Sequence, residues 1–215
     1  MDEARQSPAV ATRARRWLRG LRADAGDRAR RRVATEFYHQ LVNQARTPAL
    51  YRDLGVPDTP EGRFEMVALH VALAWRRLRV AGVAGNALGQ DLFDLMFADV
   101  DESLRQIGIG DLTVGKQVKR LAGQFYARLK VLDEALATAP AGSLRAMLQT
   151  NVYHGGAPPS ARQLDALVCY LMAIEEALRA HSAPSLLAGR LRLVPPQEPI
   201  GEAAASDRSG LADAP

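Results

Sequence analysis

Gly110 to Lys116 reads GDLTVGK, a glycine, four residues and then Gly-Lys, which is the opening of a loop whose backbone amides cradle nucleotide phosphates. The pattern then fails, because Gln117 stands where a magnesium-binding Ser or Thr belongs and no strand pattern precedes it. Gly108 and Gly110 in a tight turn, with Thr113 capping the next helix, account for the same residues. Glu36 and His39 make one Glu-x-x-His step of the kind that holds iron inside helical bundles, yet no second step completes a cage. The acidic group Asp91, Asp94, Asp99, Asp101 and Glu102 imitates a calcium loop in density alone. Counted from Asp99, Gly110 falls where the bidentate Glu should stand, and the mid-loop Gly is missing. These carboxylates are expected to cap a helix, pair with Arg105 or rim an apolar face. His70 lies in an apolar run and is expected as a core histidine paired with Glu65 or Asp94. Cys169, the single cysteine, excludes a disulfide within one chain and reads as a buried, inert thiol. No nucleophile elbow is present, and His154 and His181 fall in a loop and at a helix end. The residues point to a binding protein rather than an enzyme, with no metal or cofactor implied.

The elements that would position these groups are helices throughout. Asp27 is expected to cap a helix through Arg46 with Val33, Phe37 and Leu41 on one stripe, and Pro48 ends it. A short helix follows and stops at Gly55. Asp58 or Thr59 caps the next, with Pro60 at its first position and Phe64, Val67, Val71, Trp75 and Leu78 along one face. The segment AGVAGN reads as a loop before a helix that starts near Asn86. That helix carries Leu88, Leu92, Leu95 and Met96, widened by Phe93 and Phe97, so it is either deeply buried or exposes a groove. Beyond the IGIGD turn, Val114, Val118, Leu121, Phe125, Leu129, Leu132 and Leu136 keep a helical beat up to Pro140. Two further helices are predicted over 143–153 and 160–179, and LLAGRLRL packs last. No strand pattern and no fixed repeat length recurs. The expectation is an all-α fold of about seven packed helices with flexible termini.

Composition and charge organise the chain further. With 215 residues, 47% hydrophobic and 6% aromatic, it is long enough for one sizeable core. Residues 1–32 hold ten Arg against Asp2, Glu3, Asp24 and Asp27, while the rest holds 18 basic and 20 acidic residues, so the net charge of +4 belongs to the N-terminal segment. There Ala14, Trp17, Leu18 and Leu21 share a helical face, flanked by Arg13, Arg15, Arg16, Arg19 and Arg22. Anionic lipid and ribosomal RNA would attract this face alike, and a merely solvated arm is the other reading. DNA is not expected as a partner. The organisation expected is a basic segment 1–32, a helical domain 33–193 and a disordered, polar and proline-rich tail 194–215. No stretch is apolar enough to span a bilayer and no secretory signal is visible, so a cytoplasmic protein, peripheral at the inner face of the membrane, is expected.

The ordered blocks FYHQLVNQAR, LYRDLGVPDTPEGRFEMVALH and LFDLMFADVDESLRQIGIGDLTVGKQVKRLAGQFYARL, over roughly 36–136, resemble the ubiquinol-cytochrome c chaperone family. The matching positions are Asp58, Thr59, Gly62, Arg63, Phe64, Glu65 and His70, then Leu92, Phe93, Asp94, Met96, Asp99, Asp101, Leu104, Arg105, Gly108, Gly110, Asp111, Val114, Gly115 and Lys116. The resemblance implies helical chaperones that hold newly made or newly inserted cytochrome b, in mitochondria at the ribosome exit with a small partner protein. It assigns no catalytic role. The 25 Arg against three Lys favour the bacterial branch. The client-binding surface is expected at Phe64, Leu92, Phe93, Leu95, Met96 and Phe97, working without ATP. A helical adaptor that binds ribosome, RNA or membrane through its basic segment is the alternative.

Overall fold

Between Glu65 and Trp75 the chain has only two ionisable side chains, Glu65 and His70, and a helix that is apolar on every side buries itself in the middle of a fold. In the computed structural model this is what occurs: all eleven residues from Glu65 to Trp75 are buried. The structure describes residues 8–196 except 107, 109, 138–140 and 155, with only the backbone described at 8–25, 111, 112 and 141. Among the described residues the elements are α1 Pro8–Ala45, α2 Pro48–Arg52, α3 Pro60–Leu78, α4 Gly82–Gln106, α5 Asp111–Ala137, α6 Ala141–Asn151, α7 Ala161–Arg179 and α8 Ala183–Leu187, with no strand. The all-α expectation holds, while the small α8 begins ahead of LLAGRLRL and shares only Leu186 and Leu187 with it.

α3 is the axis of the bundle and packs against α1, α4, α5, α7 and α8. Its start is well specified: Thr59 accepts a hydrogen bond from the Gly62 amide and Pro60 occupies the first turn. A side chain at Gly62 is forbidden, since a methyl there would lie 2.1 Å from the Pro57 carbonyl oxygen. α7 is opened by a capping box in which Ser160 and Gln163 satisfy each other's amides. It then lays Leu164, Leu167, Leu171, Ile174 and Leu178 into the core.

Several boundaries differ from the sequence expectation, each for a physical reason. Asp27 does not cap a helix, because α1 already runs through it, and its carboxylate accepts from Arg30 instead. AGVAGN is not a loop: a 3-10 turn at Arg79–Ala81 leads through Gly82, at φ +66°, directly into α4. Gly85 and Gly89 then let α4 lie against α3, for a methyl at Gly89 would sit 2.2 Å from Trp75 Cδ1. Thr113 does not cap α5 either; the Gly110 carbonyl accepts from the amides of Thr113 and Val114, which places the helix start earlier. Cys169 is exposed, on the face of α7 away from its buried stripe. The carbonyl of Val194 accepts from Gln44 Nε2 at 2.6 Å, so the chain is still tied to α1 at that position. The side chains of Arg13, Arg15, Arg16, Trp17, Arg19 and Arg22, and residues 197–215, lie outside what is described.

Candidate functional site

The client-binding positions expected from the sequence separate into three groups. Leu92, Met96 and Phe97 are interior, at 0%, 1% and 7% exposure, and so form no open groove. The width of the α4 apolar surface is explained by burial against α3 and α5. Leu95 is half-buried one helical face away, between Asp91 and Asp99, two carboxylates that bind α1 through Arg30 (2.6 Å) and Tyr38 (2.8 Å). Phe64 and Phe93 remain half-buried at the surface.

A row of rings links these last two. Phe64 meets Phe97 edge-on at 6.4 Å, Phe97 meets Phe93 at 4.6 Å, and Phe93 meets Tyr126 at 5.2 Å. Trp75 and Phe125 support the row from below, at 5.8 and 5.3 Å from Phe93. Tyr126 is 48% exposed. Sequence reading missed Tyr126, although the signal was there: Phe125 and Tyr126 are adjacent in a helix, so when Phe125 enters the core its neighbour is turned outward. The structure thus brings Phe64, Phe93 and Phe97 together with Tyr126 and leaves Leu95 apart.

The polar and glycine positions of the family motif lie mostly at the surface, with Gly62 and His70 buried among those described. Asp58 and Arg63 pair at 2.5 Å, and Arg63 also stands 5.8 Å over the Tyr51 ring. Together with Arg46, Arg52 and Val56 they line a cleft of about 460 Å³ at the start of α3. Asp94 accepts from Gln90, Asp101 from Arg105, and Gly108 takes φ +84° to end α4. Gly115 and Lys116 are exposed on the first turns of α5, and a methyl at Gly115 would meet nothing within 4 Å. Because α4 rather than a strand precedes it, GDLTVGK is the end of a helix–helix turn and the first turns of α5, not a phosphate loop.

Two buried polar groups hold the axis in register. His70 is fully buried: Nδ1–H donates to the Met66 carbonyl at 2.7 Å and Nε2 accepts from the Tyr170 hydroxyl at 2.8 Å. Gln44 Nε2 then donates to Tyr170 at 3.0 Å, so α1, α3 and α7 share one chain of hydrogen bonds. The expected partners Glu65 and Asp94 are elsewhere, since Asp94 is exposed and Glu65 accepts from the buried Arg128 of α5. Burial holds the His70 imidazole down at about 4, against a smaller upward pull from its Met66 hydrogen bond. Burial pushes Glu65 up to about 7, with the Arg128 charge and hydrogen bond pulling back in part. Glu36 and His39 both stand exposed on α1, and Glu36 pairs with Arg32.

The described residues thus form a closed helical core with a partly uncovered row of rings at its surface. The family model for Ubiquinol-cytochrome C chaperone matches residues 52–193, about two thirds of the 215 residues, and the chain belongs to that family. Its fold is similar to the crystal structure of the Cbp3 homolog from Brucella abortus, at 35% identity and a TM-score of 0.72, covering 82% of this chain and 96% of that one. It is 24% identical over 139 residues to ubiquinol-cytochrome c reductase complex assembly factor 1 of Mus musculus, 65% of this chain and 46% of that protein. The match to the Xenopus laevis protein of that name is 24% over 104 residues, 48% of this chain and 52% of the other. The chain thus spans about half the length of these curated relatives.

Proposed function

We propose that the protein is an assembly factor for the ubiquinol-cytochrome c reductase complex, and that it holds newly made cytochrome b by passive contact. The family membership and the two assembly-factor relatives support the first statement. The observation that carries the second is the row Phe64, Phe97, Phe93, Tyr126, closed by packing beneath and uncovered at its rim. An unfinished membrane segment exposes apolar side chains that aggregate in water, and half-exposed rings give such segments broad, adaptable contact. Tyr126 adds a hydroxyl suited to the boundary between apolar and wet surroundings. Release needs no ATP, because the client's own partners and lipid compete for the same surface. Among the described residues no helix is long and apolar enough to cross a membrane.

The test is recovery of cytochrome b from cells expressing the wild-type chain, Tyr126→Ser or Phe93→Ser, with folding checked by circular dichroism. Both variants should recover at least fivefold less client, given that exposed ring anchors contribute on the order of 1–2 kcal/mol each. Equal recovery would reject the ring surface. Unchanged levels of assembled reductase in cells lacking the gene, read from membrane cytochrome spectra, would reject the assembly role itself.

A further inference from the structure

Four arginines, Arg76, Arg77, Arg79 and Arg179, gather where α3 and α7 end, around a surface cleft of about 520 Å³ that also holds Asp133 and Glu175. Four guanidinium groups face two carboxylates, which leaves two positive charges in excess. Arg76 pairs with Glu175 and with Asp133, and Arg79 reaches both Asp133 oxygens at 2.6 Å. Arg77 donates instead to the carbonyls of Leu178 (3.2 Å) and His181 (2.8 Å), neutral acceptors that leave its charge whole. Arg179 stands exposed on the last turn of α7.

Two valines project from the same corner. Val80, which lines the cleft, is 72% exposed and Val83 is 89% exposed, higher than any other large hydrophobic residue so described. They flank Gly82, whose positive φ turns the chain from α3 into α4 with open space around it. One bare valine is ordinary on a protein surface. Two on a turn fixed between long helices, the first of them lining the arginine-rich cleft, make an apolar tip beside a cationic one.

We propose that this corner docks on an anionic phospholipid surface, the guanidinium groups meeting phosphates while Val80 and Val83 enter the interface. Arginine suits the contact because its planar fork meets phosphate oxygens in pairs. Nucleic-acid phosphates would satisfy the charge and leave the valines in water, so the valines favour lipid. The geometry gives docking a use. Tyr126 and Asp133 are seven residues apart on α5, hence about 10 Å along one helical face, so a docked corner brings the row of rings up to the membrane. Docking of this corner is testable without any client.

Flotation of the full chain with phosphatidylcholine vesicles, with and without phosphatidylglycerol, tests it. Wild type should float with the anionic vesicles alone, and Val80→Asp/Val83→Asp and Arg179→Glu should each weaken binding by about tenfold. Neutralising Arg13, Arg15, Arg16, Arg19 and Arg22 to Gln should leave the dependence on Val80 and Val83 in place. A polarity-sensitive fluorophore on Val83→Cys, in a Cys169→Ser background, should shift to the blue with anionic vesicles. Flotation of the double-aspartate chain equal to wild type, equal flotation with neutral vesicles, or an unshifted fluorophore overturns the proposal. So does binding to single-stranded RNA that competes fully with vesicles and ignores the valine changes.

Discussion

His70 and Glu65 lie five residues apart on one buried helix and respond to pH in opposite senses. For His70 the folded value, about 4, is below the usual 6.5, so acid protonates the unfolded chain first and stability falls as pH drops from about 6.5 toward about 4. For Glu65 the folded value, about 7, is above the usual 4.5, so its contribution is complete below 4.5 and is lost as pH rises through about 7. Between about pH 4.5 and 6.5 the two slopes oppose, each limited to about 1.4 kcal/mol per pH unit. Asp53 and Asp58 are held lower by hydrogen bonds from Arg52 and Arg63, which puts their effect beneath this window. The wild type should therefore show a nearly level urea midpoint from pH 5 to 6.5. Glu65→Gln should become more stable as pH rises, and His70→Gln less stable. Parallel profiles for all three proteins would mean that these groups are not the opposing pair.

At the scale of elements, glycine decides how closely two helices lie. Gly89 of α4 faces the Trp75 indole with no room for a methyl, whereas Gly123 of α5 has nothing within 4 Å. Gly89→Ala should destabilise by about 1–3 kcal/mol, since overpacking at a fixed ring exceeds the gain in helix propensity. Gly123→Ala should stabilise by about 0.5–1 kcal/mol by propensity alone. Denaturant midpoints of the two variants, moving in opposite directions, are the expected outcome. The same contrast explains what the sequence could and could not reveal. Thr59, Pro60 and Ser160 act over three residues, so their caps are legible locally. Gly85 falls in the segment that reads as a loop and Gly89 carries no packing signal of its own, and only the partner helix turns them into packing sites. The partner of His70 is Tyr170, a hundred residues away, which no local pattern points to. Phe97 and Phe93 share one apolar surface in sequence, and the neighbours α3 and α5 decide that the first is covered and the second half-covered.

For the molecule as a whole, the question is whether a client is held on the outside or within an opened bundle. Leu92, Met96 and Phe97 could reach a client only if α4 lifted from α3, which would expose the central helix to water. Such opening costs a large part of the folding free energy, typically about 5–15 kcal/mol for a domain, and passive binding supplies no external work to offset it. Contact through Phe64, Phe93 and Tyr126 needs no opening. Hydrogen exchange separates the two: with α3 covered by five neighbours, amides of Met66 to Trp75 should be among the slowest in the free chain. On adding an apolar segment of cytochrome b in detergent, external binding leaves α3 and the Leu92 to Phe97 stretch as slow as before and slows exchange near Phe64 and Tyr126. Faster exchange across Leu92 to Phe97 on binding would instead establish that the client enters between α3 and α4. The rigid row of rings would then be a gate rather than the binding surface.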